Sequence, residues 1–197
     1  MYKNDKMGRV IWLTGLPAAG KTTIARRLEA HMLVNENSVE VLDGDVIRKG
    51  LSADLGFSED DRNEHNRRVV FLAKLLVRNG IDVIVSLVSP YRENREIARR
   101  EFRYFTEVYV KCSLDECMKR DPKGLYARAL AGEIEDMTGL DSPYEAPLDA
   151  EVVVDTESEN PEQCVKKILS HIGERANEKS AITPIRETAG VIAARVR

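Results

Sequence analysis

One eight-residue stretch constrains the fold of this chain more than any other feature. Residues 15–22 read GLPAAGKT and match the pattern G-x-x-x-x-G-K-[ST]. The stretch follows a short strand-like run, Arg9 to Thr14, and precedes a helical pattern that begins at Lys21. In that context the glycines permit a tight turn whose backbone N–H groups, together with the helix N-terminus, face phosphate groups. The motif therefore predicts a P-loop that binds a nucleoside triphosphate.

The members of this loop have distinct expected tasks. Lys21 should contact the β- and γ-phosphates of ATP, and the Thr22 hydroxyl should bind Mg²⁺. The complete set predicted to bind ATP is Gly15, Leu16, Pro17, Ala18, Ala19, Gly20, Lys21, Thr22 and Thr23. A chance match on an ordinary strand-to-helix turn is the alternative, but strand, loop and helix stand in the correct order. The motif alone does not specify the reaction.

Strand-like and helical patterns alternate along the chain. The predicted strands are Arg9–Thr14, Val39–Leu42, Ile81–Val88, Thr106–Lys111 and Glu151–Val154, of which the third is the most apolar and is expected at the centre of the sheet. Helices are predicted at Lys21–Leu33, from near Glu59 to Asn79-Gly80, at Tyr91–Phe102, after Ser113 and at Asn160–Arg175. This alternation predicts an α/β fold with a parallel sheet covered by helices on both faces.

The first predicted helix should pack through one apolar stripe. Its stripe consists of Ile24, Leu28, His31 and Met32, which recur at helical spacing.

The length of 197 residues fits one domain. We expect a P-loop kinase domain over residues 1–175. Within it, residues 121–150 form a long Gly- and Pro-rich stretch without a strand pattern, which is typical of an active-site lid or of a disordered loop, and we expect a lid. Residues 176–197 are predicted to be a flexible C-terminal tail, with the stub of a junction as the alternative.

The bulk composition argues against several classes of protein. A formal net charge of −3 does not favour a nucleic-acid or membrane-surface partner, and no apolar run is long enough to cross a bilayer. Three cysteines, Cys112, Cys117 and Cys164, form no CxxC pair. They favour a reducing, cytoplasmic location.

An acidic turn, Asp43-Gly44-Asp45, ends the second predicted strand. The third strand ends without the aspartate that many P-loop proteins use near Mg²⁺, so the acidic group should come from this turn. Because the carboxyl ends of parallel strands meet at one edge of the sheet, the turn should lie beside the P-loop. Asp45 would accept a proton from a substrate hydroxyl or hold Mg²⁺ through water. The structural alternative is an ordinary Asp-Gly turn.

Cations follow the acidic turn and recur in the predicted lid. Guanidinium groups suit phosphate and sulfate, although helix arginines are often simply solvated. Because neighbours on a helix face different directions, at most one of Arg67 and Arg68 should face the site. The complete set of candidate cations is Arg48, Arg62, Arg67, Arg68, Arg92, Lys123 and Arg128.

Several phrases between Arg9 and Asp155 resemble the adenylyl-sulfate kinase family: GLPAAGKTT, LDGD..R.GL, DLGFS..DR..HNRRV, SPYR..R..AR, RDPKGLY, GEI and TGLDSPYEAP. The runs DPKGLY and TGLDSPYE are far more specific than the P-loop motif. The resemblance implies a nucleotide-kinase type of P-loop fold with a five-stranded parallel core. It also implies transfer of phosphate from Mg-ATP to the ribose 3′-hydroxyl of adenylyl sulfate, small-molecule nucleotide partners and, often, a homodimer.

The resemblance also assigns roles to individual residues. Asp43 and Asp45 stand at the family's acidic pair, and Phe57 stands at an aromatic residue over the substrate adenine. With Lys21, the acidic pair and Ser89 form the candidate catalytic set. The implied substrate contacts are Asp45, Arg48, Phe57, Arg62, His65, Ser89, Pro90, Arg92, Lys123 and Met137.

Two of these positions have competing interpretations. Ser89 stands where the family has a serine described as a phosphorylated intermediate, but direct in-line transfer needs no serine, and we expect a helix N-cap before Pro90. Met137 replaces a phenylalanine and is expected to contact the adenine opposite Phe57. The alternative is that Met137 packs the lid against the core.

Other departures from the family pattern, such as Val46 and His65, leave the substrate open. A kinase for another 5′-nucleotidyl compound that carries a small anion is the first alternative. A nucleotide-binding module without turnover is the second.

Overall fold

The computed structural model describes residues 7–34 and 38–180. Five parallel strands form one sheet in the order β2-β3-β1-β4-β5. They are β1 (Val10–Thr14), β2 (Val39–Asp43), β3 (Asp82–Ser86), β4 (Phe105–Lys111) and β5 (Val152–Asp155). The predicted α/β class and parallel sheet are confirmed. The central strand, however, is β1 and not β3. The prediction was wrong because both strands are buried on both faces and are therefore both apolar, so apolar content does not give their order in the sheet.

Seven helices lie in the described part of the chain: α1 (Lys21–Val34), α2 (Gly44–Lys49), α3 (Glu59–Val77), α4 (Arg92–Glu101), α5 (Leu114–Arg120), α6 (Leu125–Leu130) and α7 (Pro161–Ser180). The sequence patterns missed α2 and α6, which are too short to show a helical period. Helix α7 continues to Ser180 instead of ending at Arg175, and the rest of the predicted tail lies outside the described residues. None of the described helices has the length and apolar character needed to span a membrane.

Alternate residues of β1 pack into two different apolar layers. Ile11 and Leu13 contact the layer that contains α1 and α7, whereas Val10 and Trp12 contact the layer that contains α3 and α4. All residues of β1 are buried because helices cover both faces of the sheet. The predicted α1 stripe is correct except for His31, which is exposed and lies 3.3 Å from Glu162 through its Nε2.

The parallel register brings three loops to one edge of the sheet. Leu13 of β1 and Asp43 of β2 are both paired with Ser86 of β3. The P-loop after β1, the acidic turn after β2 and the segment after β3 therefore leave the sheet side by side. This edge is where ligands bind in open parallel sheets.

The P-loop starts with a close approach between two strands. A Cβ atom on Gly15 would lie 2.4 Å from the carbonyl oxygen of Val110 in β4, a separation that side-chain carbons do not tolerate. Glycine at this position is therefore required by the packing of β4 against the end of β1.

We predict that Gly15→Ala destabilises the protein by about 1–3 kcal/mol, because the backbone of β4 must move to admit the new carbon. Gly173→Ala is the matched control: Gly173 lies inside α7 and a Cβ there meets nothing within 4 Å. That substitution should stabilise the protein by about 0.5–1 kcal/mol. Urea unfolding of both variants measures the difference, and equal changes in stability would contradict the steric argument.

Candidate active site

The P-loop encloses the ammonium group of Lys21. Lys21 Nζ donates hydrogen bonds to the carbonyl oxygens of Gly15 at 2.9 Å and Leu16 at 2.7 Å. The loop turns through left-handed backbone conformations at Ala18 (φ 62°) and Gly20 (φ 98°). Ala18 is not a glycine, so this conformation is strained, as is common at functional sites.

Burial gives Lys21 an unusual acidity. Desolvation lowers the pKa of Lys21 to about 8, although Cys117 and Asp45 act in the opposite direction. A negatively charged phosphate at the loop would favour the protonated amine. The structure therefore holds a cation that a phosphate ligand would stabilise.

Asp43 connects the P-loop to the acidic turn. Its Oδ2 accepts a hydrogen bond from Thr22 Oγ1 at 2.9 Å, and its Oδ1 accepts one from the backbone N–H of Asp45 at 3.0 Å. Asp43 is thus the N-cap of α2, and it is buried. The hydroxyl and carboxylate oxygens of Thr22 and Asp43 converge, and oxygen donors of this kind suit Mg²⁺.

Asp45 lies in the first turn of α2 and is half exposed, with Lys123 of the lid as its ion-pair partner. The two carboxylates of the acidic turn therefore differ. Asp43 is buried and held by two donors, whereas Asp45 is accessible from solvent. Its accessibility makes Asp45 the candidate of the two for proton exchange with a bound molecule.

Arg48 and Arg62 lie around the ring of Phe57. The guanidinium carbon of Arg48 is 4.4 Å from the ring centroid and that of Arg62 is 5.7 Å away. Arg48 donates to the carbonyl of Gly56 at 2.7 Å, and Arg62 donates to the carbonyls of Phe57 at 2.8 Å and Asp136 at 2.5 Å. Burial lowers the pKa of both arginines, and for Arg48 the charge of Arg62 adds to the effect. The positive charges of the two arginines repel each other, so an anion bound between them would be stabilised. Together with the exposed ring of Phe57, they form a suitable site for an anionic aromatic ligand.

Three other candidate cations have partners of their own. Arg67 lies 3.0 Å from Glu64, Arg68 pairs with Glu64 and Asp54, and Arg128 lies 3.2 Å from Glu133. These pairs are local, within a helix or to the nearest loop. The solvated or ion-paired alternative therefore describes both Arg67 and Arg68.

His65 lies behind the acidic turn, where a Cβ on Gly44 would be 4.0 Å from its Nε2. Burial, together with Arg48, Arg68 and Arg62, lowers the pKa of His65 to about 4. The imidazole is therefore neutral near pH 7 and contributes no charge to an anion site.

The predicted lid, residues 121–150, contacts the P-loop and the end of β1. Tyr126 in α6 donates to the carbonyl of Pro17 at 3.1 Å, and the hydroxyl of Tyr144 lies 3.0 Å from Thr14 Oγ1. A Cβ on Gly139 would lie 2.9 Å from the Leu16 side chain. Sequence reasoning missed both tyrosines as lid contacts, although they stand in the runs DPKGLY and TGLDSPYE.

Comparison with known proteins gives a consistent result. The adenylylsulphate kinase family profile matches residues 7–155. A probable adenylyl-sulfate kinase from Archaeoglobus fulgidus is 56% identical over 151 residues, which cover 77% of this chain and 97% of the relative. An adenylyl-sulfate kinase from Picosynechococcus is 47% identical over 170 residues, which cover 86% of this chain and 96% of the relative.

This chain belongs to the adenylylsulphate kinase family. A solved structure of the Mycobacterium tuberculosis APS kinase in complex with AMPPNP and APS has a TM-score of 0.83 at 39% identity, covering 85% of this chain and 99% of that chain. The resemblance read from the sequence and the nucleotide-kinase type of P-loop fold are confirmed.

One expectation for the adenylylsulphate kinase site needs correction at Ser89. The residue has a left-handed backbone (φ 39°), and its Oγ accepts a hydrogen bond from the buried indole N–H of Trp12 at 3.0 Å. Helix α4 begins at Arg92 with Tyr91 as its N-cap and no side-chain cap. Ser89 is therefore not an N-cap. Its hydroxyl instead satisfies a buried donor that would otherwise have no acceptor.

Pro90 and Arg92 hold the far end of the lid. The carbonyl of Pro90 accepts from the backbone N–H of Glu145 at 2.9 Å, and Arg92 Nε donates to the carbonyl of Ala146 at 2.9 Å. Both residues, which the resemblance implied as substrate contacts, have lid contacts in this structure.

Met137 is only 6% exposed and belongs to the apolar cluster that contains Ala19 and Tyr126. Phe57, by contrast, is 51% exposed. This difference favours the alternative in which Met137 packs the lid against the core.

We predict that nucleotide binding weakens at alkaline pH. The free protein loses the Lys21 proton as pH rises through about 8, and the phosphates bind the protonated amine. The Kd for Mg-ATP should therefore increase about tenfold from pH 7 to pH 9. Lys21→Arg is the control, because a guanidinium stays charged over this range. Calorimetry at constant Mg²⁺ gives both profiles, and a flat wild-type profile would contradict the assignment.

We predict that Asp45→Asn lowers kcat by about 10²-fold or more, as expected for loss of a general base. Asp43→Asn should keep the helix cap, since asparagine caps as well as aspartate, and should mainly raise the Mg²⁺ concentration needed for half-maximal activity. Steady-state assays across a Mg²⁺ titration separate the two effects. A larger loss of kcat in Asp43→Asn at saturating Mg²⁺ would assign the base to Asp43 instead.

Proposed function

We infer that this chain is an adenylyl-sulfate kinase, which transfers the γ-phosphate of ATP to the ribose 3′-hydroxyl of adenylyl sulfate. The observation that carries the inference is the joining of the P-loop to the acidic turn through Thr22 and Asp43, beside the Arg48–Phe57–Arg62 cluster. This arrangement places a phosphate-binding loop, a carboxylate and a cationic aromatic site at one edge of the sheet. The names of the relatives support the same reaction.

The reaction is a direct phosphoryl transfer. The substrate 3′-oxygen forms a bond to the γ-phosphorus, the bond between that phosphorus and the β–γ bridging oxygen breaks, and ADP leaves. Asp45 accepts the proton of the 3′-hydroxyl, because it is the accessible carboxylate of the acidic turn. Lys21 stabilises the negative charge on the γ-phosphoryl group during transfer.

Mg²⁺ fits the oxygen donors of Thr22 and Asp43. When bound there, it supplies neutralisation of phosphate charge. The hydroxyl of Thr22 and the carboxylate of Asp43 are 2.9 Å apart, so neither side chain must travel far to present its oxygen.

Substrate recognition is proposed for Arg48, Arg62 and Phe57. The exposed ring of Phe57 offers a face to the adenine, and base–aromatic stacking contributes about 1–3 kcal/mol. The guanidinium groups beside the ring suit the adjoining phosphate and sulfate charges. Lys123 of the lid adds a cation that now pairs with Asp45.

Ser89 has no covalent role in this proposal. Ser89 is buried, and its Oγ accepts a hydrogen bond from the Trp12 indole N–H. The hydroxyl is therefore poorly placed for phosphorylation.

Two further proposals rest on general features of the chain. A homodimer is implied by the family resemblance, and sedimentation measurements of the purified chain test it. A reducing cytoplasmic location is consistent with the three free, buried cysteines.

The decisive experiment measures ADP release from ATP with a panel of acceptors that includes adenylyl sulfate, AMP and other 5′-nucleotides. We expect turnover with adenylyl sulfate and identification of the 3′-phosphorylated product by mass spectrometry. Lys21→Ala should remain folded and inactive. Preference for another nucleotide would favour the first alternative, and binding without turnover would favour a nucleotide-binding module.

We predict that Met137→Phe raises the KM for both substrates, because Met137 is buried and a larger side chain overpacks the contact between lid and core. Leu130→Phe is a control at an exposed lid position and should change neither KM. Steady-state kinetics decide the point. A several-fold lower KM for adenylyl sulfate alone would instead show that residue 137 stacks on the adenine.

A further inference from the structure

Arg95 joins three segments of the chain through one buried guanidinium group. In α4, Arg95 is 2% exposed. Its Nε donates to Glu107 of β4, its Nη1 to the carbonyl of Ser89 and its Nη2 to the carbonyl of Glu145, each at 2.7 Å. Arg95 stands in the phrase SPYR..R..AR, but the sequence assigned it no role, because it lies in a helix among several other charged residues.

The first segment held by Arg95 is the strained turn after β3. Ser89 has a left-handed backbone, which a residue with a Cβ rarely adopts without support. Upstream in the same turn, Leu87 packs against the acidic turn so closely that a Cβ on Gly44 would lie 2.7 Å from its Cδ2. The position of this turn therefore constrains the backbone between Asp43 and Asp45.

The second segment is the C-terminal end of the lid. The backbone N–H of Glu145 donates to the carbonyl of Pro90, and the Glu145 carboxylate accepts from the backbone N–H of Arg92 at 2.8 Å. The lid thus supplies the cap that α4 lacks from its own sequence. The neighbouring Tyr144 lies under Arg95, 6.0 Å from its guanidinium carbon, and contacts Thr14 of β1.

The third segment is β4, which supplies the counter-charge. Glu107 is buried and pairs with Arg95 and, through Oε2, with Arg99 at 3.1 Å. The Glu107 carboxylate balances the charge of the Arg95 guanidinium group and fixes its position. The remaining N–H groups of the guanidinium form a rigid planar fork. The fork is aimed at two carbonyls, one in the active-site turn and one in the lid.

We propose that Arg95 is a positioning residue that holds the end of the lid in register with the turn beside the acidic pair, so that the reacting groups are aligned for transfer. This proposal rests on the proposed kinase function. A small misplacement of reacting groups is sufficient to slow catalysis strongly. Loss of the fork should therefore affect kcat more than nucleotide binding. The hydrogen bonds of Arg95 go to Glu107, Ser89 and Glu145, and none of these residues belongs to the P-loop.

Arg99 provides a matched control. It lies one turn further along α4 and shares Glu107, but its other hydrogen bonds go to Glu151. It therefore has the same charge, helix and carboxylate as Arg95 without a bond to Ser89 or Glu145. A purely structural role of the ion-pair network predicts similar effects for both arginines.

The experiment compares Arg95→Lys with Arg99→Lys, since lysine keeps the charge and loses the fork. Melting temperature, kcat, the KM for adenylyl sulfate, the Kd for Mg-ATP and hydrogen exchange of residues 140–150 are measured for each. For Arg95→Lys we expect kcat to fall about tenfold or more, faster exchange near Glu145 and a Kd for Mg-ATP within about twofold of wild type. For Arg99→Lys we expect kcat and lid exchange close to wild type.

Wild-type kcat and lid exchange in a folded Arg95→Lys variant would overturn the proposal, as would equal losses in both variants. If Arg95→Lys does not fold, Glu107→Gln keeps the side-chain volume and an acceptor for Arg95, and it should show the same effects in smaller size. Unchanged kcat and lid exchange in that folded variant would also overturn the proposal. Hydrogen exchange needs no turnover, so an inactive wild-type chain would refute the kinase function while the lid comparison still decides the role of Arg95.

Discussion

The candidate active site depends on one buried carboxylate, that of Asp43. A buried charge is costly unless hydrogen bonds satisfy it, and here the two donors come from different loops, the Thr22 hydroxyl and the Asp45 amide. The P-loop and α2 are therefore fixed relative to each other by the requirement to satisfy the same side chain. The parallel register, which pairs Asp43 with Ser86 next to Leu13, makes this meeting possible.

The lid is part of the same arrangement because it is packed on the P-loop. Tyr126 and Tyr144 anchor its two ends to Pro17 and Thr14, and Gly139 lies against Leu16 between them. The contacts of Tyr126 and Gly139 connect the lid to the loop that would cradle phosphates, and that of Tyr144 connects it to the end of β1. A change in the shape of the P-loop on nucleotide binding would therefore reach the lid through the hydrogen bond between Tyr126 and Pro17.

Local sequence patterns predicted the strands, the P-loop and the acidic turn, because each depends on spacing within a few residues. The central place of β1 depends on strand order, a non-local property that apolar content does not encode. The prediction that Ser89 caps a helix was wrong for a related reason. Its hydroxyl accepts a hydrogen bond from Trp12, 77 residues away in sequence, and the cap of α4 comes from Glu145 in the lid. The role of Arg95 was missed for the same reason, since its partners lie on three separate segments.

The charges of the site explain why an anionic substrate fits it. Lys21 is bonded to carbonyl oxygens of its own loop, Lys123 is paired with Asp45, and Arg48 and Arg62 lie on Phe57. Lys21, Arg48 and Arg62 donate to neutral carbonyl oxygens, which a phosphate or sulfate oxygen can replace with a stronger acceptor, because hydrogen bonds between ionised groups are roughly twice as strong as neutral ones. A neutral nucleoside offers no such replacement. Release of Lys123 by an incoming anion would also free the carboxylate of Asp45, the proposed base, so this one ion pair would couple anion binding to the availability of that carboxylate.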